Sequence, residues 1–150
     1  FFNEAMQLSK YSHYLIRKFL NHLTIEGKKE KAEKILVFAF LDIYEKQKKD
    51  PFLVFLKAIE NSRPFVEVRS VRRGGATYQI PVPCREKRGT SLSMKWILEN
   101  ARKKKAVSFS QSLSHVLLES SKGLGECVKK KDLFHATALK NRSFTHFRWF

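Results

Sequence analysis

The feature that most narrows the fold is a single change of hydrophobic period. On either side of residues 65–83, apolar side chains recur every three or four positions, whereas inside that segment they alternate. A period near 3.6 belongs to a helix with one buried face, and a period of two belongs to a strand. In "PFVEVRSVRRGGATYQIPVP", Val66 and Val68 fall on one face of a first strand. Tyr78, Ile80 and Val82 fall on one face of the return, with Gly74 and Gly75 supplying the turn. Two strands alone are marginal in water, so the hairpin must pack at its base on the helices or be held from outside, with its tip projecting. The expected architecture is mainly α: about six helices, with one extended β-hairpin inserted between helices three and four.

Helix one is expected from Ala5 to about Leu23, where Leu8, Tyr11, Leu15, Phe19 and Leu23 keep helical spacing and Gly27 breaks it. "KKEKAEKILVFAFLDIYEKQKK" forms a second helix with a middle so apolar that Ile35, Phe38, Ala39 and Ile43 are expected to be surrounded on several sides. Asp50 as N-cap and Pro51 at the first helical position open a third, which stops before Pro64. After "CREKRG", Thr90 or Ser91 is expected to cap a fourth helix carrying Leu92, Trp96 and Ile97 and ending in "ARKKK". A serine cap opens the fifth helix, which closes near Gly123, and "ECVKKKDLFHATALKNRSF" gives the sixth. With no internal repeat and no Pro- or Ser-rich linker, residues 1–150 are expected to form a single domain.

Thirty Lys and Arg against 14 Asp and Glu leave a formal charge of +16, far beyond what solubility requires, and a polyanion is the natural partner. The excess lies in clusters: Lys28 to Lys34, Arg69 to Arg73, Arg85 with Lys87 and Arg88, Arg102 to Lys105, and Lys129, Lys130 and Lys131. Tyr78, Trp96, Phe144, Phe147 and Trp149 stand beside them. Backbone neutralisation plus flat rings for base or sugar packing are the two ingredients of RNA binding. At Trp96 the helical spacing from Leu92 suits the core as well as it suits a contact. A membrane-surface helix would need one cationic and one bulky apolar face, but these charges sit on loops and helix ends. The longest apolar run, Ile35 to Leu41, is too short to cross a bilayer.

Catalytic apparatus is not visible. His13, His22, His115, His135 and His146 show no His-Glu-x-x-His pattern, and Cys84 and Cys127 show no Cys-x-x-Cys spacing, so neither a metal nor a cofactor is indicated. Two unpaired cysteines fit a reducing compartment, and no secretory pattern follows Phe1. No phosphate-binding loop or nucleophile elbow occurs. Asp42 with Glu45, and Glu60 with Glu67, read as solvated pairs on basic elements and not as acid–base couples.

The segments "EGKKEKAEKI", "PFVEVRSVRRGGATYQIPVP", "SLSMKWILENARKKK" and "NRSFTHFRW" resemble, in order and spacing, the family of the seventh small-subunit ribosomal protein of bacteria and organelles. The resemblance runs from about helix one to the last residues. It implies a six-helix domain with an extended hairpin and no catalysis. It also implies binding to the 3′ major domain of small-subunit rRNA, nucleation of head assembly, and a hairpin by the exit site near exit-site tRNA and emerging mRNA, with the eleventh small-subunit protein among the neighbouring head proteins. By similarity, Gly27, Lys28 and Lys29 touch rRNA. Arg69, Arg72, Gly74, Gly75, Thr77, Tyr78 and Gln79 match the hairpin; Lys95, Trp96, Arg102 and Lys103, followed by Lys104 and Lys105, match helix four. Asn141, Arg142, Phe144, His146, Arg148 and Trp149 match the closing segment. The chain departs from the family at "FFNEAMQLSKYSHY", where bacterial members carry a basic arm, at Arg73, which replaces the usual valine, and at "CREKRG". Its lysine and phenylalanine richness resembles a mitochondrial member, with plastid or bacterial cytoplasm as alternatives. A free RNA-binding translational regulator or assembly factor is the alternative function.

Overall fold

The computed structural model describes residues 2–104 and 108–148, with side chains from residue 13 onward. The chain runs α1 (Phe2–Leu23), α2 (Lys29–Gln47), α3 (Pro51–Ser62), β1 (Val66–Arg73), β2 (Ala76–Pro83), α4 (Glu86–Lys103), α5 (Phe109–Ser121) and α6 (Glu126–Lys140), and a short 3-10 helix follows at Arg142–Phe147. The six expected helices and the inserted hairpin are all there. The 3-10 segment, expected as the end of helix six, is a separate turn.

Local chemistry explains most boundaries. Asp50 Oδ1 accepts a hydrogen bond from the Phe52 N–H at 2.9 Å, and Pro51 fills the first helical position, where no N–H is needed. Ser108 Oγ accepts from the Gln111 N–H at 3.3 Å and opens α5. The start of α4 differs from expectation: it begins at Glu86, before Thr90 and Ser91. Thr90 is already inside the helix, where its hydroxyl donates back to the Glu86 carbonyl at 2.9 Å, the alternative bonding open to a threonine in a helix interior. Gly89 permits this earlier start, because a Cβ there would stand 2.9 Å from the Pro64 carbonyl oxygen.

α5 runs through the middle and packs on α2, α3 and α4. Leu113 and Leu117 of α5, Phe55 and Ala58 of α3, Ile43 of α2, Met94 and Ile97 of α4 and Phe19 of α1 are fully buried around it. Phe19 meets Phe55 edge-on at 5.2 Å. Of the expected core on α1, Leu15, Phe19 and Leu23 are buried, while the side chains of Leu8 and Tyr11 lie outside the described residues. On α2 the expectation holds for Ala39 and Ile43, and Ile35 is half-buried. Phe38 is a correction: it is 60% exposed, because α2 packs by one face only.

β1 and β2 pair antiparallel from Val66↔Pro83 to Arg73↔Ala76. Gly74 and Gly75 both have positive φ, 57° and 85°, as a two-residue turn matched to strand twist requires. β1 packs against α6, and β2 packs against the 3-10 segment. The hairpin is therefore braced by α6 on one strand and by the 3-10 segment on the other.

Candidate nucleic-acid interface

The hairpin is anchored by a carboxylate. Pairing places Glu67 on the same face as Ile80 and Tyr78, and its side chain is only 5% exposed. Arg69 Nε and Nη2 donate to Glu67 Oε1 at 2.8 and 2.6 Å, and Arg88 Nε of α4 donates to Oε2 at 2.5 Å. Burial disfavours the charge, but the hydrogen bonds from Arg88 and Arg69 outweigh it and hold the carboxyl below its ordinary value. Arg69 and Arg88, expected as RNA contacts, are thus partly committed to holding the hairpin on α4, although each remains more than half exposed.

Near the tip the predicted aromatics turn inward on one another. Tyr78 packs against Phe144 and Phe147 with ring centroids 5.4 and 4.8 Å apart, and the Arg73 guanidinium lies 5.0 Å from the Phe147 ring centre. His146 lies against Phe147 at 4.0 Å. The closing segment is thereby fastened to β2. Arg72, Gly74, Gly75, Thr77 and Gln79 are exposed around the turn. Arg142, His146 and Arg148 are exposed on the adjoining 3-10 turn, which brings hairpin and tail, distant in sequence, to one surface. Trp149 lies outside the described residues.

A second basic surface lies along α4. Arg88, Lys95, Glu99, Arg102 and Lys103 recur at helical spacing on one side of it, a ridge of roughly 20 Å at 1.5 Å per residue. Between α1 and α4 is a depression of about 530 Å³ lined by His22, Lys95, Leu98, Glu99, Arg102 and Lys103. Burial first, then the nearby charges of Lys95 and Lys18, push the His22 imidazole below its ordinary pKa. Glu99 receives Lys103 Nζ at 2.8 Å and Lys130 Nζ of α6 at 2.6 Å. Those bonds, working against desolvation, lower its pKa to about 2. Lys18 Nζ donates to the Lys87 carbonyl at 3.0 Å, tying α1 to the same edge of α4.

The remaining expected contacts are dispersed. Lys28 and Lys29 are exposed at the start of α2, beside Glu26 at 2.5 Å and Glu33 at 4.0 Å respectively. Arg85 and Lys87 are exposed at the start of α4. Lys129 pairs with Glu126 at 3.0 Å, and Lys131 donates to the Asn61 carbonyl at 2.6 Å. Lys104 is drawn to Glu119 and His115, both at 2.7 Å; Lys105 lies outside the described residues. Trp96 is taken out of the surface set: at 5% exposure it packs under α6 against Phe134, 5.0 Å between centroids, and Lys130 covers it. His22, Leu98 and Glu99 line the depression without having been expected at an RNA contact. A lone histidine four positions after a lysine on an amphipathic helix carries no signal until α4 is placed beside it.

Among the described residues no His, Cys, Asp or Glu cluster could hold a metal ion, and both cysteines are free. Fold and surface together define a small, strongly basic helical domain with a braced, projecting hairpin, of the kind that is built into ribonucleoprotein. Residues 3–142 match the family model for ribosomal protein S7p/S5e, and the chain belongs to that family, whose members are structural proteins and not enzymes. It is 48% identical over 139 residues to small ribosomal subunit protein uS7 of Pseudothermotoga lettingae, covering 93% of this chain and 90% of that one. It is 43% identical over 147 residues to uS7 of Cellvibrio japonicus, covering 97% and 94%. To uS7 of Vibrio campbellii it is 44% identical over 140 residues, covering 93% and 90%.

Proposed function

We propose that this protein is a structural component of the small ribosomal subunit that binds the 3′ major domain of small-subunit rRNA and helps nucleate assembly of the head. The observation that carries this reading is the basic ridge of α4 with its depression against α1, in a chain of this family and of +16 charge. Lys95 and Arg102 supply cations for phosphates, beside Lys103, which Glu99 holds. Lys28 and Lys29 extend the contact at the start of α2, and the hairpin with its attached tail faces the exit site, near exit-site tRNA and mRNA. Neighbouring head proteins, the eleventh among them, complete the surroundings. The relatives reported above are bacterial, which fits a bacterial cytoplasmic ribosome. The lysine and phenylalanine richness favours the mitochondrial ribosome, and organelle fractionation of the source cells decides between them.

The test is binding to a fragment of the rRNA 3′ domain, against an unrelated folded RNA of equal length, across a salt series. A cognate advantage that persists as salt rises supports shape recognition, whereas two curves falling together to one weak limit oppose it. Lys28→Glu with Lys29→Glu is expected to weaken cognate binding. Sedimentation with ribosomal particles separates this reading from a free translational regulator, which would stay in the soluble fraction.

A further inference from the structure

The outward face of α2 carries a contiguous apolar stripe in a strongly basic chain. Val37, Leu41 and Tyr44 follow one another at i, i+4 and i+7 with Phe38 beside them, exposed by 56, 52, 58 and 60%. The opposite face of the same two turns, Leu36, Ala39 and Ile43, is buried in the core. One side of α2 is therefore spent on folding, and the other repeats the same pattern with nothing from the described residues covering it. From Ile35 to Glu45 there is no Lys or Arg, in a chain where they make up 30 of 150 residues. A phosphate backbone would find no counter-charge along this stretch.

We propose that this face binds an amphipathic helix of another protein, with acidic residues flanking its apolar stripe. Three features fix that occupant. The two exposed turns span roughly 10 Å and offer the ridge spacing that a partner helix packs into. Their exposed apolar area is on the order of 400 Å², about half of what each side of a standard interface contributes, so the charges around it must favour the contact; two copies meeting by this face would set cationic rims against each other, whereas a helix with acidic flanks would be drawn to them. The rim is set by Lys34 before the patch and Lys48 and Lys49 after it, none of which meets a carboxylate among the described residues. Glu45 is the one carboxylate beside the patch without an ion pair there. The rim cations outnumber it, and acidic flanks on the partner helix would complement them.

The experiment uses the full chain and a synthetic helix-forming peptide of about 20 residues with leucines at i, i+3, i+4 and i+7 and glutamates between. A scrambled peptide of identical composition has the same charge and no stripe. The ordered peptide is expected to bind at least tenfold more tightly than the scrambled one. Phe38→Ser with Leu41→Ser should bring it down to the scrambled level while helix content and rRNA-fragment binding stay unchanged. Lys34→Glu with Lys48→Glu should weaken the ordered peptide several-fold. Leu41→Gln alone, a milder change on an exposed position, must show a smaller loss of the same kind if the double variant lowers helix content. Equal binding of the two peptides overturns the proposal, as does binding that survives the apolar variants. Loss of rRNA binding in Phe38→Ser/Leu41→Ser would assign the face to RNA, and concentration-dependent self-association abolished by that variant would assign it to a second copy; either result overturns it.

Discussion

Glu67 occupies a place on the hairpin where an aliphatic side chain would serve packing better, and its two arginine partners make the difference. Both arginines can turn to water if it is lost, so Glu67→Gln is expected to cost about 1–2 kcal/mol, a fall of about 2–8 °C in Tm for a chain of this length, read by thermal unfolding. Because folding lowers this carboxyl's pKa, its contribution is fully present above the ordinary glutamate value and fades as pH falls through the lower folded value. The gap between native protein and variant should therefore close in acid. His22 carries the second prediction at this scale. Its imidazole pKa is pushed down by burial, Lys95 and Lys18, and a phosphate in the depression would oppose that shift. Binding then takes up a proton, so affinity for the rRNA fragment should rise as pH is lowered from 8 to 6, and His22→Gln should flatten the profile. Glu67 was visible in the sequence only as half of an unremarkable acid pair. Its partner Arg88 lies 21 positions on, and nothing local announces a contact at that distance.

Among the elements, the hairpin was the most legible, since alternation and a Gly-Gly turn are both local signals. What braces it was not. Tyr78 and the rings of Phe144 and Phe147 meet only because α6 returns the chain to β2, and the aromatics read as RNA-stacking surfaces are in part consumed by that meeting. Tyr78→Ala is expected to release the 3-10 turn, seen as lost amide-exchange protection confined to residues 142–147, with helix content retained. Arg72→Ala should leave thermal stability unchanged, whereas Arg73→Ala should lower it slightly through the lost guanidinium–ring contact, worth about 0.5–1 kcal/mol at an exposed site. The two helical misreadings share a cause. A continuous apolar run on α2 does not say how many of its sides find partners in the same chain. A Thr-Ser pair looks like a cap until Gly89 lets the backbone begin a turn earlier.

For the molecule as a whole, the positive charge is distributed between cations that hold the fold and cations left for a partner. Glu99 commits Lys103 and Lys130 to the first group. Glu99→Gln should release them, tightening RNA binding several-fold at low salt and steepening its salt dependence by about 0.7–0.9 per added phosphate contact. Self-repulsion at this net charge should also make the free domain more stable in moderate salt than in very low salt, which a Tm series in chloride would register. Fold class and charge were legible because they are sums over many residues. The depression between α1 and α4 was not, because it is a product of two surfaces. The brace on the hairpin has a consequence in time as well as in space. Phe65 donates its N–H to His135 Nε2 across 70 residues of chain, and Tyr78 waits a similar span for Phe147. During synthesis at about 5–20 residues per second, the hairpin is finished seconds before the parts that aim it exist. A chain interrupted before α6 would carry its arginines on a hairpin held to the helices by Glu67 and Arg88 alone, so the full brace on the ribbon arrives only after the ribbon itself.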